Sequence, residues 1–153
     1  QLMQPICLNI GLLPGDNPEI SVDVIEDSCR FTCTNLPYGD VVRVLKAGPP
    51  TRGQKRLRYN LTDKSQRDVY SLILKVLADN PPLVEIDMEE LLQRILKNLD
   101  SNKIAMQKVK DALKNWQKML ADYGPMYQVF EWKDDVIHIQ DNLFLFYLRW
   151  SSI

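Results

Sequence analysis

Leu83-Val84-Glu85-Ile86-Asp87-Met88-Glu89-Glu90-Leu91-Leu92-Gln93-Arg94-Ile95-Leu96-Lys97-Asn98-Leu99-Asp100-Ser101-Asn102 is the stretch whose reading decides the fold. Leu83 to Ile86 is short and aliphatic, suited to a brief strand. Asp87, with Glu90 three residues on, is a capping-box pattern that starts a helix. Leu91, Leu92, Ile95, Leu96 and Leu99 then recur at helical spacing and form its buried stripe. Asp100-Ser101-Asn102 makes a three-residue turn before the next helix, the connection a pair of packed helices uses.

Outward from this centre, the spacing predicts a preceding helix that starts at Thr62. The Thr62 hydroxyl caps it, Asp63 sits beside its positive end, and Val69, Leu72, Ile73, Val76 and Leu77 line one face. Asp79-Asn80-Pro81-Pro82 stops it. The helix that follows the turn is predicted from Lys103 to Tyr123, where Gly124-Pro125 ends it. Ala105, Val109, Ala112, Leu113, Trp116 and Leu120 fall on one side of it at 100° per residue. Lys103, Gln107, Lys110, Lys114 and Gln117 fall together on the other, with Lys118 at the margin. Met126 to Trp132 and Val136 to Gln140 flank Lys133-Asp134-Asp135, a hairpin with a polar tip. Phe130 and Trp132 share the face that packs on the helices, and His138 is expected as a packed or edge residue.

Helix, strand, helix, helix, strand, turn, strand resembles the winged helix-turn-helix, three helices with a β-hairpin wing. The resemblance implies DNA reading as the commoner use, with protein docking as the alternative. It places the third helix in a major groove, where lysine reaches phosphates or guanine edges and glutamine pairs with adenine. Lys103, Gln107, Lys110, Lys114 and Lys118 are then the nucleic-acid-binding candidates. The acid-bearing tip is poorly suited to a minor groove, and lysine-rich outer faces are also common on solvated helices.

Residues 48–61 read as a basic connector in which Gly48, Pro49, Pro50 and Gly53 deny both helix and central strand. Arg52, Lys55, Arg56 and Arg58 are its candidates for following a phosphate backbone. Net charge is −1, which counts against a dedicated nucleic-acid binder, although the charge is polarised along the chain.

Residues 1–47 read as a small antiparallel β unit. Ile6 to Leu13, Glu19 to Ile25, Cys29 to Thr34 and Val41 to Leu45 are rich in β-branched and aliphatic residues. Turn chemistry breaks them at Pro14 to Pro18 and at Leu36 to Asp40. The division is therefore a β-rich unit over 1–47, a linker over 48–61, and a helical domain with a hairpin and tail over 62–153. The fold class is α+β.

The tail Asn142-Leu143-Phe144-Leu145-Phe146-Tyr147-Leu148-Arg149-Trp150 is apolar and aromatic, a final helix capped by Asn142. So many apolar residues in succession cannot all face inward from one helix, so contact with a second body is expected. Phe144, Phe146, Tyr147 and Trp150 are the protein-interface candidates, in a homodimer or with a larger partner. An Asp followed by this aromatic run resembles the end of the winged-helix regions attached to bacterial and archaeal AAA+ and STAND-type ATPases. That resemblance implies an accessory region of a larger protein, since no G-x-x-x-x-G-K-[ST] phosphate loop occurs. A chain that begins at Gln1 fits the same expectation.

Other classes find little support. Cys7, Cys29 and Cys33 are an odd count, as expected for reduced thiols in a cytoplasmic protein. A zinc site lacks a fourth ligand near them, the sole histidine being His138, so neither metal nor cofactor is expected. No nucleophile sits beside that histidine, and no enzymatic activity is expected. There is neither a secretory leader nor an apolar run of about 18 residues, and no membrane partner is expected.

Overall fold

Trp116 donates its indole N–H to the Leu45 carbonyl at 2.8 Å, in the interior, and so joins two parts of the chain that lie far apart in sequence. The computed structural model describes residues 3–12, 19–51, 53–101 and 103–151. In chain order they form α1 (Met3–Asn9), α2 (Val22–Thr34), α3 (Gly39–Ala47), β1 (Tyr59–Asn60), β2 (Gln66–Arg67), α4 (Val69–Leu77), β3 (Glu85–Asp87), α5 (Met88–Asn98), α6 (Met106–Tyr123), β4 (Phe130–Lys133), β5 (Val136–Ile139) and α7 (Asn142–Trp150). The class is α+β with small antiparallel sheets. None of these helices is long and apolar enough to cross a membrane.

Among the described residues of 1–47 the expected β unit is not formed; they carry the helices α1, α2 and α3 instead. The alternation Ser21-Val22-Asp23-Val24 is the start of a helix: the Ser21 hydroxyl accepts from the Val24 amide, which is N-cap geometry. Ser28, Cys29, Thr32 and Cys33 are then buried in pairs one turn apart, a helical stripe. Val41, Val42, Val44 and Leu45 repeat the pattern in α3. Burial outweighs the weak preference of β-branched residues for strands. Of the break expected at Leu36 to Asp40, Leu36, Pro37 and Tyr38 do separate α2 from α3, but Gly39 and Asp40 already belong to α3; Pro14 to Pro18 lies outside the described residues.

The helix expected from Thr62 begins at Val69 instead, with Asp68 as its cap, the carboxylate accepting from the Ser71 amide at 2.9 Å. Residues 59–67 form the hairpin β1–β2, with Lys64 in the left-handed region at φ 66°. Asp63 therefore caps no helix. It accepts from the Ser65 hydroxyl and amide and from Lys75, and these bonds hold its carboxyl well below the usual carboxylate range.

From α4 onward the expected order is observed, except that the first hairpin strand, expected over Met126 to Trp132, is Phe130–Lys133: Pro125–Tyr127 forms a 3-10 turn, and Lys133 pairs with Val136 instead of lying in the turn. Asp87 caps α5, accepting from the Glu90 amide at 2.7 Å. α6 starts three residues later than Lys103, and Ala105 is its exposed N-cap rather than part of its buried stripe. β3, β5 and β4 form a three-stranded antiparallel sheet in that order, with Ile86 opposite Ile137 and Trp132 opposite Ile137. One apolar cluster runs through α3, α4, α5, α6, the sheet and α7, with Leu72, Ile73, Leu91, Ile95, Trp116 and Phe144 fully enclosed. Asp141, not Asn142, caps α7.

Candidate interaction surfaces

The outer face of α6 is divided by its own neighbours. Lys110 Nζ lies 2.6 Å from Asp135 Oδ2, so its charge is met within the chain. Gln107 donates its amide to Asp111 at 2.8 Å, which brings a carboxylate onto the face. Gln117 donates to the Trp132 carbonyl at 2.9 Å. That carbonyl belongs to β4, a sheet edge, and Gln117 covers it as a neighbouring strand otherwise would. Lys114 and Lys118 stay exposed, as does Lys103 in the approach to the helix, and none of the three makes a salt bridge among the described residues. The lysine–glutamine line read from the sequence thus reduces to two lysines of α6 and one before it.

The hairpin tip explains where Asp135 comes from. Asp134 and Asp135 have φ of 52° and 61°, so both central residues of a two-residue turn are left-handed. That geometry suits the right-handed twist of a hairpin, and aspartate is among the few non-glycine residues that adopt it. Phe130 on β4 is buried edge-to-face against Trp116, with ring centroids 5.6 Å apart, and half-buried Trp132 packs on the core. His138 lies on the middle strand, not an edge, opposite Glu85 with Nδ1 and Oε1 3.3 Å apart.

In the connector, Arg56 is a clamp rather than a phosphate contact. Its guanidinium donates to the Ala47 and Pro49 carbonyls, stands 3.3 Å from the Asp68 carboxylate, and covers the Tyr70 ring at 4.8 Å. It ties the end of α3 to the cap of α4. Gly48 makes room for it: a Cβ there would sit 2.8 Å from the Tyr70 ring, at a φ of 58°. Lys55 and Arg58 remain exposed, and Arg52 lies outside the described residues.

The aromatic tail finds its second body inside the chain. Phe144 is fully buried and so offers nothing to a partner; Phe146, Tyr147 and Trp150 are half-buried. Tyr38 packs against Phe144 and Tyr147, and its hydroxyl donates to the Asp141 carboxylate. Cys33 approaches the Tyr147 carbonyl, and Arg30 of α2 stands 5.8 Å over Trp150. α2 therefore covers the face of α7 that the core leaves open.

A different surface is left apolar, and the sequence reading missed it. Met3 and Leu8 on α1 are 70% and 62% exposed. Val22, Val24, Ile25 and Phe31 on α2 are exposed as well, Phe31 by 60%. A strand reading turned alternate residues inward and hid them. Helical spacing would have shown Val24 and Phe31, seven apart, on one face. The two helices are held together by Ser28 Oγ donating to the Ile6 carbonyl at 3.1 Å and by Asn9 Nδ2 donating to Thr32 Oγ1 at 2.9 Å.

No family model, curated protein or solved structure matches this chain.

The reactive side chains are placed structurally. Cys29 and Cys33 are buried free thiols, and burial pushes both up from the ordinary thiol value, away from the nucleophilic thiolate. Among the described residues no group of three or more His, Cys, Asp or Glu is disposed to hold a metal ion.

Proposed function

We propose that α4 to β5 is a winged helix, and that the chain serves as a protein-docking module within a larger protein rather than as a reader of duplex DNA. The order α4, β3, α5, α6, β4, β5 and the sheet order β3-β5-β4 support the first part. The observation that carries the second is the exposure of apolar side chains on α1 and α2, among them Val24 and Phe31, which lie seven residues apart on one face of α2, since exposed apolar faces mark interaction sites. Asp135 on Lys110 counts the same way. A phosphate would have to displace a carboxylate already in contact, next to a second acid at the tip.

Exposed Lys103, Lys114, Lys118, Lys55 and Arg58 favour a second reading, duplex DNA held through its backbone. One experiment separates the two. Peptides displayed on phage are selected on the chain and counter-selected on Phe31→Asp, while a labelled duplex is titrated in parallel. Docking predicts peptides that need Phe31, with duplex affinity no tighter than the non-specific range of about 10⁻⁶ M. Tighter duplex binding abolished by Lys114→Glu/Lys118→Glu, with no Phe31-dependent peptide, reverses the assignment.

A further inference from the structure

We infer that the exposed face of α2 receives a basic amphipathic helix from another protein, its apolar stripe on Val24 and Phe31 and its cations toward Glu19, Asp23 and Asp27. The inference rests on the docking reading and adds the chemistry of the partner.

Charge sets that chemistry. Residues 1–29 carry Asp16, Glu19, Asp23, Glu26 and Asp27 and no lysine, arginine or histidine. Glu19, Asp23 and Asp27 are exposed. The first cation, Arg30, is already engaged, 2.7 Å from Glu26, 2.8 Å from Asp27 and over the Trp150 ring. It is one positive charge against two carboxylates, so the rim of the apolar face stays negative. A partner that fits must bring apolar side chains and positive charge together.

The same rim excludes other occupants. Anionic lipid surfaces and nucleic acid carry the wrong sign. A second copy meeting this face by two-fold symmetry would set the carboxylates against themselves. A copy docking head to tail has either of two cationic stretches to offer, but the exposed apolar side chain between Lys55 and Arg58 is Leu57, and at the start of lysine-bearing α6 it is Met106. One such side chain falls well short of the roughly 800 Å² per partner that a stable interface covers. A helix fits better, because Val24 and Phe31 lie two turns apart on α2, the spacing at which i and i+7 anchors of a docked helix repeat.

The test uses the full chain and two synthetic probes: an amphipathic helical peptide of leucine and lysine, and its counterpart with glutamate for lysine. Binding is followed by fluorescence anisotropy at low and high salt. The lysine peptide is expected to bind about tenfold or more tighter than the glutamate peptide, and to weaken with salt. Val24→Asp/Phe31→Asp should lose about tenfold, and Glu19→Lys/Asp23→Lys should reverse the preference. Circular dichroism confirms that each variant is folded, and the charge-reversal pair touches no buried residue, so it remains informative if the aspartates disturb α2. Equal binding of both peptides, through Phe31, overturns the partner chemistry and leaves the docking reading intact. Binding of neither peptide, with Phe31-independent behaviour throughout, overturns both. Self-association abolished by Phe31→Asp overturns the inference in favour of a second copy.

Discussion

Lys110, near the start of α6, and Asp135, at the tip of a hairpin 25 residues on, form an ion pair at 2.6 Å. The pair joins α6 to the β4–β5 turn and removes a positive charge from the one helical face where the sequence concentrates lysine. Its energetic weight is small. Asp135 is half exposed, and such pairs contribute about 0–1 kcal/mol. Its effect on the surface potential is larger than its effect on stability.

Asp135→Asn should therefore change binding more than folding. Freed Lys110 joins Lys114, and non-specific duplex affinity at low salt should rise a few-fold, with a salt slope steeper by about 1 in log–log terms. Duplex titrations at several salt concentrations measure this. An unchanged slope would mean that Lys110 does not face a bound duplex. The melting temperature should move by about 4 °C or less.

Gly48→Ala should destabilise the protein by about 1–3 kcal/mol. The added methyl would meet the Tyr70 ring at 2.8 Å in a backbone conformation at φ 58° that side chains rarely adopt. Chemical denaturation gives the value. Loss of the same midpoint shift in a Tyr70→Ala background would assign the cost to the ring rather than to the backbone.

Arg56→Lys should behave as a loss rather than a conservative change. An ammonium cannot hold the Ala47 and Pro49 carbonyls and lie flat on Tyr70 at once. The expected cost is about 1.5–3 kcal/mol, close to that of Arg56→Ala. Full stability in the lysine variant would show that charge alone suffices there.

Trp116→Phe keeps an aromatic ring but removes the donor to Leu45 and some volume, for an expected cost of about 1–3 kcal/mol. Trp116→Ala should cost about 3–5 kcal/mol. Because the bond reaches α3, hydrogen exchange in residues 39–47 should speed up in both variants. Protection unchanged there would detach α3 from the α6 core.

Alkaline stability should depend on Tyr38. Burial, and then its bond to the Asp141 carboxylate, push its phenol well above the ordinary value near 10. A group raised in the folded state contributes stability that is fully present below its unfolded value and is lost as pH rises through the folded one. Half-buried Tyr147 and the buried Cys29 and Cys33 thiols shift the same way. Tyr38→Phe should flatten the fall in stability above pH 10, read from denaturation midpoints. Asp63 works at the other end. Its depressed carboxyl contributes above the ordinary carboxylate value and loses that contribution as pH falls through the acid range, so Asp63→Asn should lessen acid sensitivity.

Between residues 69 and 140 the order of elements was legible, because the helices repeat one burial period for long enough. Leu91, Ile95 and Leu99 set α5; Val109, Leu113, Trp116 and Leu120 set α6. Asp87 marked a start that its bond to the Glu90 amide fulfils. Boundaries failed where a side chain had two uses. Thr62 and Asp63 have the chemistry of a cap, yet Ser65 and the β1–β2 pairing claim that stretch, and Asp68 caps instead.

By itself, then, the chain's order of residues determined the helical core around Trp116, the hairpin with its acidic tip, and a polarised charge distribution, since these follow from periodicity and composition. Tertiary structure decided the rest. Ser28 and Thr32 can line a buried helical stripe only once Ile6 and Asn9 of α1 give them hydrogen-bond partners, and no local pattern records a partner more than 20 residues away. In the same way, the number of lysines was plain to read, but how many remain available was set by which carboxylates and carbonyls the fold brings within 3 Å of them, as Asp135 is brought to Lys110.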